Sequence, residues 1–303
     1  MEEIDVLLAT YNGEMFIEEF LESLAGQEQV NIHLIVSDDG SNDSTLEIVK
    51  RYESKFQKVT FLFGPRTGPM RNFFHLLRNS DGKFIALADQ DDIWNKDHLI
   101  KSINRLKNSK LPAMTYSSVV QFGDKRKKDE VWPSNYEGPK FPEIVFENTA
   151  RGCTIVINAQ ARQLINIREP KNAIMHDWWI LLLVQLYGEV YFEPEAEIHY
   201  RLHSNNYVGV PHQRFFLFRK TLHQGKWLPL DQLLELVSNP NSNFEKKTNY
   251  NIELFAKRIS GNLISRAKIA FYSGGTRYRR TLSEEIQLRI GLLFLGILKR
   301  KGD

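Results

Sequence analysis

The chain has 303 residues, of which 42% are hydrophobic and 25% charged, and these proportions exclude a disordered or fibrous protein. Its single cysteine, Cys153, excludes a disulfide framework. The net charge of +3 conceals an asymmetry, because residues 201–303 carry 18 Lys and Arg against 7 Asp and Glu, whereas the first 200 residues carry 22 against 30. The first 200 residues are therefore acidic and the tail is basic, and the basic excess fits either a solvated helical surface or contact with an anionic membrane surface or lipid phosphate.

In chain order, the first 110 residues alternate short apolar runs with segments of helical spacing. Strands are predicted at residues 4–9, 32–36, 59–63 and 84–88, and helices at 14–25, 44–54, 70–78 and 96–108. This repeated strand-helix order predicts an α/β fold with a mostly parallel sheet flanked by helices.

The middle of the chain is less regular. Strands are predicted at residues 113–122, 154–158 and 191–200, helices at 159–167 and 177–187, a charged turn at 123–130 and a loop at 133–142. After about residue 205 the spacing is helical. We therefore predict one α/β domain over residues 1–206 and a mainly helical C-terminal region over 207–303.

The start of the chain, Met-Glu-Glu-Ile-Asp-Val, has neither the basic residues nor the apolar core of a signal peptide. The longest apolar run, residues 290–298, is interrupted by Gly291 and Gly296 and is shorter than the roughly 20 residues that span a bilayer. These features predict a cytoplasmic protein.

Polar residues follow the first two predicted strands, and ligands of open α/β sheets bind at this carboxyl edge. Thr10, Tyr11 and Asn12 follow the first strand, where a ring can lie against a nucleobase and a hydroxyl can contact phosphate. Asp39 follows the second strand and suits a ribose hydroxyl or a base N–H, since a carboxylate repels phosphate. The same residue types also form turns and helix caps, and Asp43 is the best candidate for a cap.

Three carboxylates follow the fourth strand, in the sequence Asp89-Gln90-Asp91-Asp92-Ile93-Trp94. So much negative charge is unfavourable without a cation, and Mn²⁺ or Mg²⁺ often bridges carboxylates and substrate phosphates. This predicts a metal-diphosphate site that includes Asp91. The alternative, an acidic helix N-terminus, suits Asp92 better than Asp89.

Together these segments resemble the family 2 inverting glycosyltransferases, and most closely the rhamnosyltransferase-like members that build bacterial surface polysaccharides. The similar stretches are Ala-Thr-Tyr-Asn-Gly, Ser-Asp-Asp-Gly-Ser-Asn-Asp-Ser-Thr, Gly-Pro-Met-Arg-Asn-Phe and Ala-Asp-Gln-Asp-Asp-Ile-Trp, within residues 4–207. The resemblance implies a GT-A fold, a nucleotide-diphosphate sugar donor and a divalent cation. It places these residues at the nucleotide or donor: Thr10, Tyr11, Asn12, Asp39, Arg71, Asn72, Asp89 and Gln90. Asp89 and Asp91 correspond to the Asp-x-Asp motif, with Asp91 a metal ligand.

The resemblance extends to the acceptor side and to the catalytic base. Gly152 and Cys153 match a small-residue turn that borders the acceptor, and Cys153 is expected to be a buried packing residue. Asp177 matches the acidic residue that acts as base, with His176 and Trp178 beside it. Many family members have Glu-Asp where this chain has His176-Asp177, which leaves the supporting role of His176 open.

A last segment, His199-Tyr200-Arg201-Leu202-His203-Ser204-Asn205-Asn206, resembles a stretch that follows the sheet in the rhamnosyltransferase-like members. His203 is a candidate ligand of the metal or contact of the diphosphate, and imidazole suits Mn²⁺ better than Mg²⁺. Arg201 is a candidate for neutralising the leaving group.

The C-terminal region mixes apolar and basic residues at 214–220 and 286–301. Such segments can lie on an anionic membrane surface, pack on the catalytic domain or form a homo-oligomer contact. We expect peripheral contact with the inner face of the cell membrane, because acceptors in this family are often lipid-linked. No nucleic acid is expected as a partner, since no matching motif accompanies the basic charge.

Several alternatives remain beside a dTDP-rhamnose-dependent transferase with a glycan or lipid-linked acceptor. UDP-galactose, UDP-glucose or a UDP-N-acetylhexosamine can replace dTDP-rhamnose as donor. A non-catalytic partner subunit that binds nucleotide-sugar or glycan would need the same groups. A sugar nucleotidyltransferase or a Rossmann dehydrogenase is disfavoured, because no Gly-rich loop follows the first strand.

Overall fold

The computed structural model describes residues 1–123, 128–171, 173–203, 228–238, 252–271, 278–279 and 282–298. These residues divide into two compact units. The first contains the described residues of Met1–Gly138, Ala150–Glu169 and Met175–Val208, and the second those of Pro139–Thr149, Pro170–Ile174 and Gly209–Asp303. The predicted domain boundary at residues 206 and 207 lies outside the described residues.

Four parallel strands form one half of the sheet in the first unit, in the order β3-β2-β1-β4. They are β1 (Glu2–Thr10), β2 (Val30–Asp38), β3 (Lys58–Phe63) and β4 (Phe84–Asp89). The helices that connect them are α1 (Ile17–Ala25), α2 (Thr45–Arg51) and α3 (Pro69–Arg78). These strands and helices and the parallel direction of the strands were predicted apart from the ends of each element, whereas the order of the strands in the sheet was not predicted.

The second half of the sheet is mixed and continues in the order β4-β8-β6-β9-β5, with β7 paired to β6. Its strands are β5 (Ile93–Trp94), β6 (Ala113–Phe122), β7 (Glu130–Trp132), β8 (Val156–Asn158) and β9 (Glu189–Arg201). The helices of this half are α4 (His98–Leu106), α6 (Ala159–Ile167) and α7 (His176–Tyr187). β9 runs parallel to β6, whereas β8 is antiparallel to both β4 and β6. The predicted α/β fold, with a mostly parallel sheet flanked by helices, is confirmed.

Several predicted boundaries were wrong for local reasons. The helix predicted from Glu14 begins at Ile17, because the N–H groups of Phe16 and Ile17 both bond to the Gly13 carbonyl in a turn. The strand predicted from Thr154 begins at Val156, because Gly152–Thr154 is a 3-10 turn.

Other differences concern short elements. Glu130 begins strand β7 instead of ending a turn, and the strand predicted at residues 191–200 extends over Glu189–Arg201 as β9. Residues 93–94 pair with β9 as the two-residue strand β5.

Spaced apolar side chains of the helices pack against the sheet. In α1 the buried residues are Ile17, Phe20, Leu21 and Leu24, at the spacing that keeps one helix face inward. Trp94 and Leu99 are buried. Helix α7 is buried along nearly its whole length, which explains why its sequence is apolar on every side.

The second unit is mainly helical, as its spacing predicted. Its helices are α5 (Glu143–Phe146), α8 (Leu228–Ser238), α9 (Ile252–Ser260), α10 (Leu263–Phe271) and α11 (Leu282–Leu298). Four aromatic rings pack together in this unit: Phe141, Phe146, Phe255 and Tyr278. Throughout the described ranges, no helix has both the length and the apolar character that a membrane crossing requires.

Gly188 ends helix α7 and lies against the backbone of Pro112. A Cβ at this position would lie 1.8 Å from the Pro112 carbonyl oxygen. Because that neighbour is backbone, we expect Gly188→Ala to lower the free energy of unfolding by about 3–5 kcal/mol. Urea titration followed by tryptophan fluorescence measures this loss.

Gly26 provides the matched control for this prediction, because it also ends a helix. A Cβ at Gly26 would meet its nearest atoms at 3.5 and 3.6 Å, which is ordinary contact. Gly26→Ala should therefore change the free energy of unfolding by less than about 1 kcal/mol. Equal urea midpoints for the two variants would contradict the predicted clash.

Candidate functional site

The carboxyl ends of β1 and β2 are joined by hydrogen bonds to Asp38. Thr10 Oγ1 donates to Asp38 Oδ1 at 2.9 Å, and the N–H groups of Gly40 and Ser41 donate to Asp38 Oδ2. Thr10 is buried, and Gly40 has a positive φ of 100°. These bonds fix the loop after β2 against the end of β1.

The segment after β1 is held from two directions and leaves Tyr11 exposed. Gln90 accepts a hydrogen bond from Tyr11 N at 3.0 Å and donates one to Tyr11 O at 2.9 Å. Asn12 has a φ of 44°, and its Oδ1 accepts a bond from Asn42 N at 2.9 Å. Because these bonds fix the backbone at Tyr11, its half-exposed ring is held where it can contact a planar group.

Asp39 organises the loop that precedes α3. Its carboxylate accepts hydrogen bonds from Arg66 N at 2.6 Å and from Gly68 N at 2.8 Å. Both donors have positive φ angles, 58° and 93°. Asp39 therefore lies at the carboxyl edge of the sheet, where its carboxylate already accepts two backbone hydrogen bonds.

The predicted donor residues of α3 differ in exposure. Asn72 is buried, and its amide exchanges two hydrogen bonds with Ser37, so it joins α3 to β2. Arg71 is partly exposed and lies 3.5 Å from Glu169. Direct donor contact by either residue stays a prediction.

Asp89, Asp92 and Cys153 bring their ligand atoms within 4.8 Å of one another. Asp92 Oδ1 accepts a hydrogen bond from Arg201 N. Within the described ranges, Asp92 Oδ2 has no hydrogen bond of normal geometry, and the Cys153 thiol interacts with this carboxylate. Burial raises the pKa of the Cys153 thiol, so the thiol stays neutral and suits packing, as expected. Asp92 lies between β4 and β5, so its alternative assignment to a helix N-terminus was wrong.

Asp91 and His203 lie together at the same edge. His203 Nε2 is 2.7 Å from Asp91 Oδ2, and the imidazole stacks on the Phe16 ring with centroids 4.7 Å apart. Arg201 Nε donates to the Asp91 carbonyl at 3.0 Å, and its guanidinium pairs with Glu19 at 2.6 Å. Arg201 and His203, which themselves contact Glu19 and Phe16, therefore hold Asp91 in place. Residues 204–206 of the predicted segment lie outside the described residues.

Asp177 stands in the first turn of α7, beside the turn that contains Gly152. Its Oδ1 accepts a hydrogen bond from Trp178 N at 2.7 Å, and both side chains are largely buried. A Cβ at Gly152 would lie 2.7 Å from His176 Nε2 and 3.8 Å from Asp177 Cβ. Only glycine allows this approach without a shift of the neighbouring side chains.

His176 is buried and stacks on the Phe73 ring with centroids 4.0 Å apart. Burial lowers the pKa of His176 to about 3, so the imidazole is neutral near pH 7. A neutral imidazole adds no charge beside Asp177.

The charged groups act on one another across the site. Burial, followed by the charges of Asp91 and Asp177, raises the pKa of Asp89 to about 8, whereas the charge of Arg151 lowers it. The acidic residues after β4 and the start of α7 therefore share one electrostatic environment.

Sequence reasoning missed two members of this site, Arg151 and Asp92. Arg151 was not named as a site residue, because a single arginine before a small-residue turn carries no signal of its own in the sequence. Asp92 was not named as a site residue, because the alternative of an acidic helix N-terminus suited it better than Asp89, although its place behind two other carboxylates was the available signal.

Comparison with known proteins agrees with this geometry. The family model described as Glycosyl transferase family 2 matches residues 5–163. The dTDP-rhamnosyl transferase RfbG of Shigella flexneri is 32% identical over 219 residues, which cover 67% of this chain and 73% of RfbG.

Two solved structures share the fold over 99% of this chain. The structure of S. aureus TarS 1-349 in complex with UDP-GlcNAc superposes with a TM-score of 0.59 at 17% identity and is covered over 89% of its length. The mannosyltransferase PcManGT from Pyrobaculum calidifontis, in complex with GDP-Man and Mn²⁺, superposes with a TM-score of 0.57 at 14% identity and 88% coverage. Since the family model matches more than half of the chain, and RfbG matches two thirds of it, the chain belongs to glycosyl transferase family 2 and is a nucleotide-sugar-dependent glycosyltransferase.

Proposed function

We propose that this enzyme is a metal-dependent inverting transferase that moves L-rhamnose from dTDP-rhamnose to a hydroxyl of a glycan or lipid-linked acceptor in cell-surface polysaccharide synthesis. One observation carries the proposal: the turn that contains Gly152 and Cys153 adjoins Asp177 through Gly152 and reaches the carboxylates of Asp89 and Asp92 through Cys153. A base and a donor-phosphate site are thus close enough to serve one displacement. The identity to RfbG supports rhamnose as the transferred sugar.

The acidic residues fit a hard divalent cation, Mn²⁺ or Mg²⁺. Carboxylate oxygens are the ligands that these ions prefer, and one oxygen of the buried Asp92 has no regular hydrogen bond within the described ranges. Asp91 and Asp89 would hold the ion, with His203 as a further ligand or as the partner that orients Asp91. When bound, such an ion stabilises negative charge on a diphosphate as a Lewis acid. The Mn²⁺ in the PcManGT complex supports this cofactor.

The loops after β1 and β2 would hold the nucleotide. The exposed Tyr11 ring would lie against the base, and the fixed backbone of Thr10 and Asn12 would line the nucleoside. Asp39 would contact the base or the ribose with the lone pairs that its two backbone bonds leave free. Gln90 would support this segment through its two bonds to Tyr11.

The base would be Asp177. In a single displacement, one carboxylate must take the proton of the attacking hydroxyl as the new bond forms. Gly152 lets the backbone approach the start of α7, and the neutral His176 leaves Asp177 as the proton acceptor there. Trp178 and Cys153 would shape the acceptor side as packing residues.

A UDP-sugar is the alternative donor, supported by the UDP-GlcNAc bound in the TarS structure. A panel of dTDP, UDP and GDP with and without Mn²⁺ or Mg²⁺ separates these donors by the shift in unfolding temperature. The matching nucleotide should raise stability by about 2.7 kcal/mol at a hundredfold excess over its dissociation constant, with metal present. No shift with any nucleotide, with or without metal, would contradict the proposed donor site.

We also propose that the second unit contacts an anionic membrane surface. Leu282, Ile286 and Ile290 lie on one face of α11, and each is at least half exposed, whereas Leu288 and Leu292 face inward. The exposed charged side chains described in α9 and α10 are basic, namely Lys257, Arg258 and Lys268. Apolar and basic side chains together suit anionic lipid headgroups.

Vesicle flotation tests the membrane contact. The protein should float with anionic vesicles but not with neutral ones, and Ile286→Ser with Ile290→Ser should reduce the bound fraction. Equal recovery with both vesicle types would contradict the proposal.

A further inference from the structure

The guanidinium of Arg151 is stacked against two aromatic rings. It lies 4.2 Å from the centroid of the Trp132 ring and 5.1 Å from that of Tyr200. These rings come from β7 and β9, on either side of β6 in the sheet. Two cation–π contacts restrict the plane and position of the guanidinium.

Within the described part of the chain, the Arg151 side chain has no hydrogen bond and no ion pair, and its Nε is shielded from water. Other arginines of the same unit do have carboxylate partners, among them Arg51 with Glu18, Arg105 with Glu193 and Arg201 with Glu19. A buried guanidinium donor without an acceptor is unfavourable unless a ligand supplies one.

The position of Arg151 is at the reaction centre inferred above. Arg151 directly precedes Gly152, which adjoins His176 and Asp177, and its charge acts on Asp89. The carboxylates at this centre repel a phosphate group, so a nearby cation that donates hydrogen bonds would favour the approach of phosphate. Guanidinium groups bind phosphate through paired N–H donors.

We propose that Arg151 is a substrate-binding residue that receives a phosphate group, supplied by the donor diphosphate or by a phosphate-bearing acceptor. This inference rests on the proposed function for the identity of the substrates. The aromatic contacts hold the guanidinium in place before the phosphate binds, which lowers the entropic cost of binding.

Calorimetric titration with UDP, dTDP and GDP in the presence of Mg²⁺, and with the corresponding nucleosides, tests the donor as the source. Arg151→Met removes the donors and keeps the length of the side chain. If the donor supplies the phosphate, this variant should bind the matching nucleoside diphosphate roughly 10- to 100-fold more weakly and its nucleoside equally well.

A second titration tests the acceptor as the source. Inorganic phosphate is added to the protein alone and to the protein saturated with nucleoside diphosphate and Mg²⁺. If the acceptor supplies the phosphate, the saturated wild type binds inorganic phosphate, and Arg151→Met loses this binding while its nucleotide affinity is unchanged.

Arg105→Met is the matched control, because Arg105 also stacks on an aromatic ring, that of Tyr191 at 4.7 Å, but pairs with Glu193. It should change neither titration.

If Arg151→Met does not fold, Arg151→Lys, which keeps the charge but loses the paired donors, should show a smaller loss in the same titration. The inference would be overturned if Arg151→Met kept the nucleotide affinity of the wild type and did not differ from the wild type in binding of inorganic phosphate. A wild type that binds no nucleotide would refute the proposed function. In that case the role of Arg151 is still decided by comparing phosphate binding to the wild type alone and to Arg151→Met alone.

Discussion

Replacing Asp177 with asparagine should lower the rate of sugar transfer by roughly 10²- to 10⁴-fold while nucleotide affinity is retained. The amide is nearly the same size as the carboxylate and can still accept a hydrogen bond from Trp178 N, so the local structure should persist. It cannot take a proton from the acceptor hydroxyl. Turnover is measured as release of nucleoside diphosphate with acceptor present, and affinity by calorimetric titration.

Asp231→Asn is the matched control for this substitution. Asp231 also stands in the first turn of a helix, α8, so the control reproduces the lost interaction between a carboxylate and the positive end of the helix dipole. That interaction contributes about 0.3–1 kcal/mol to stability and nothing to proton transfer. If Asp177→Asn turned over donor and acceptor at the wild-type rate, another group would have to be the base.

The parallel half of the fold could be predicted because each of its elements is defined by local sequence. In the predicted runs 4–9, 32–36 and 84–88 the polar residues are Asp5 and His33, and the helices between these runs show regular spacing. The short strands β5 and β7 could not be predicted, since two or three residues carry no periodicity. They are strands only because β9 and β6 offer them backbone partners.

The site was predictable in outline for a similar reason. Parallel strands end at one edge, so the polar residues after β1, β2 and β4 had to meet there. The sequence does not reveal how each side chain is used. Asn72, expected near the donor, is buried against Ser37, and Gln90 holds the backbone of Tyr11.

Arg151 illustrates what pattern reasoning from one sequence cannot reach. Its importance depends on Trp132 and Tyr200, which are distant in the sequence and meet it only because β7 and β9 both pair with β6. A lone arginine before a small-residue turn carries no comparable signal.

Replacing Asp91 with asparagine should remove the metal-dependent part of nucleotide binding and, with it, transfer activity. Asp91 is held by Arg201 at its carbonyl and by His203 at its carboxylate, so the substitution changes charge without freeing the segment. We expect nucleotide affinity in Mn²⁺ to fall by at least roughly 10- to 100-fold, the range that loss of even an outer-shell partner causes. Affinity without metal should match the wild type.

Two further variants make this prediction specific. Asp97→Asn is the control, because Asp97 pairs with Lys101 on the surface of α4 and the substitution removes the same charge outside the site. His203→Ala distinguishes two roles of the imidazole: an orienting partner of Asp91 should cost about 10- to 100-fold in metal affinity, whereas a direct ligand should cost more. If Asp91→Asn kept the full metal-dependent shift in unfolding temperature, the ion would have to be held by Asp89 and Asp92 instead, whose carboxylates meet beside Cys153.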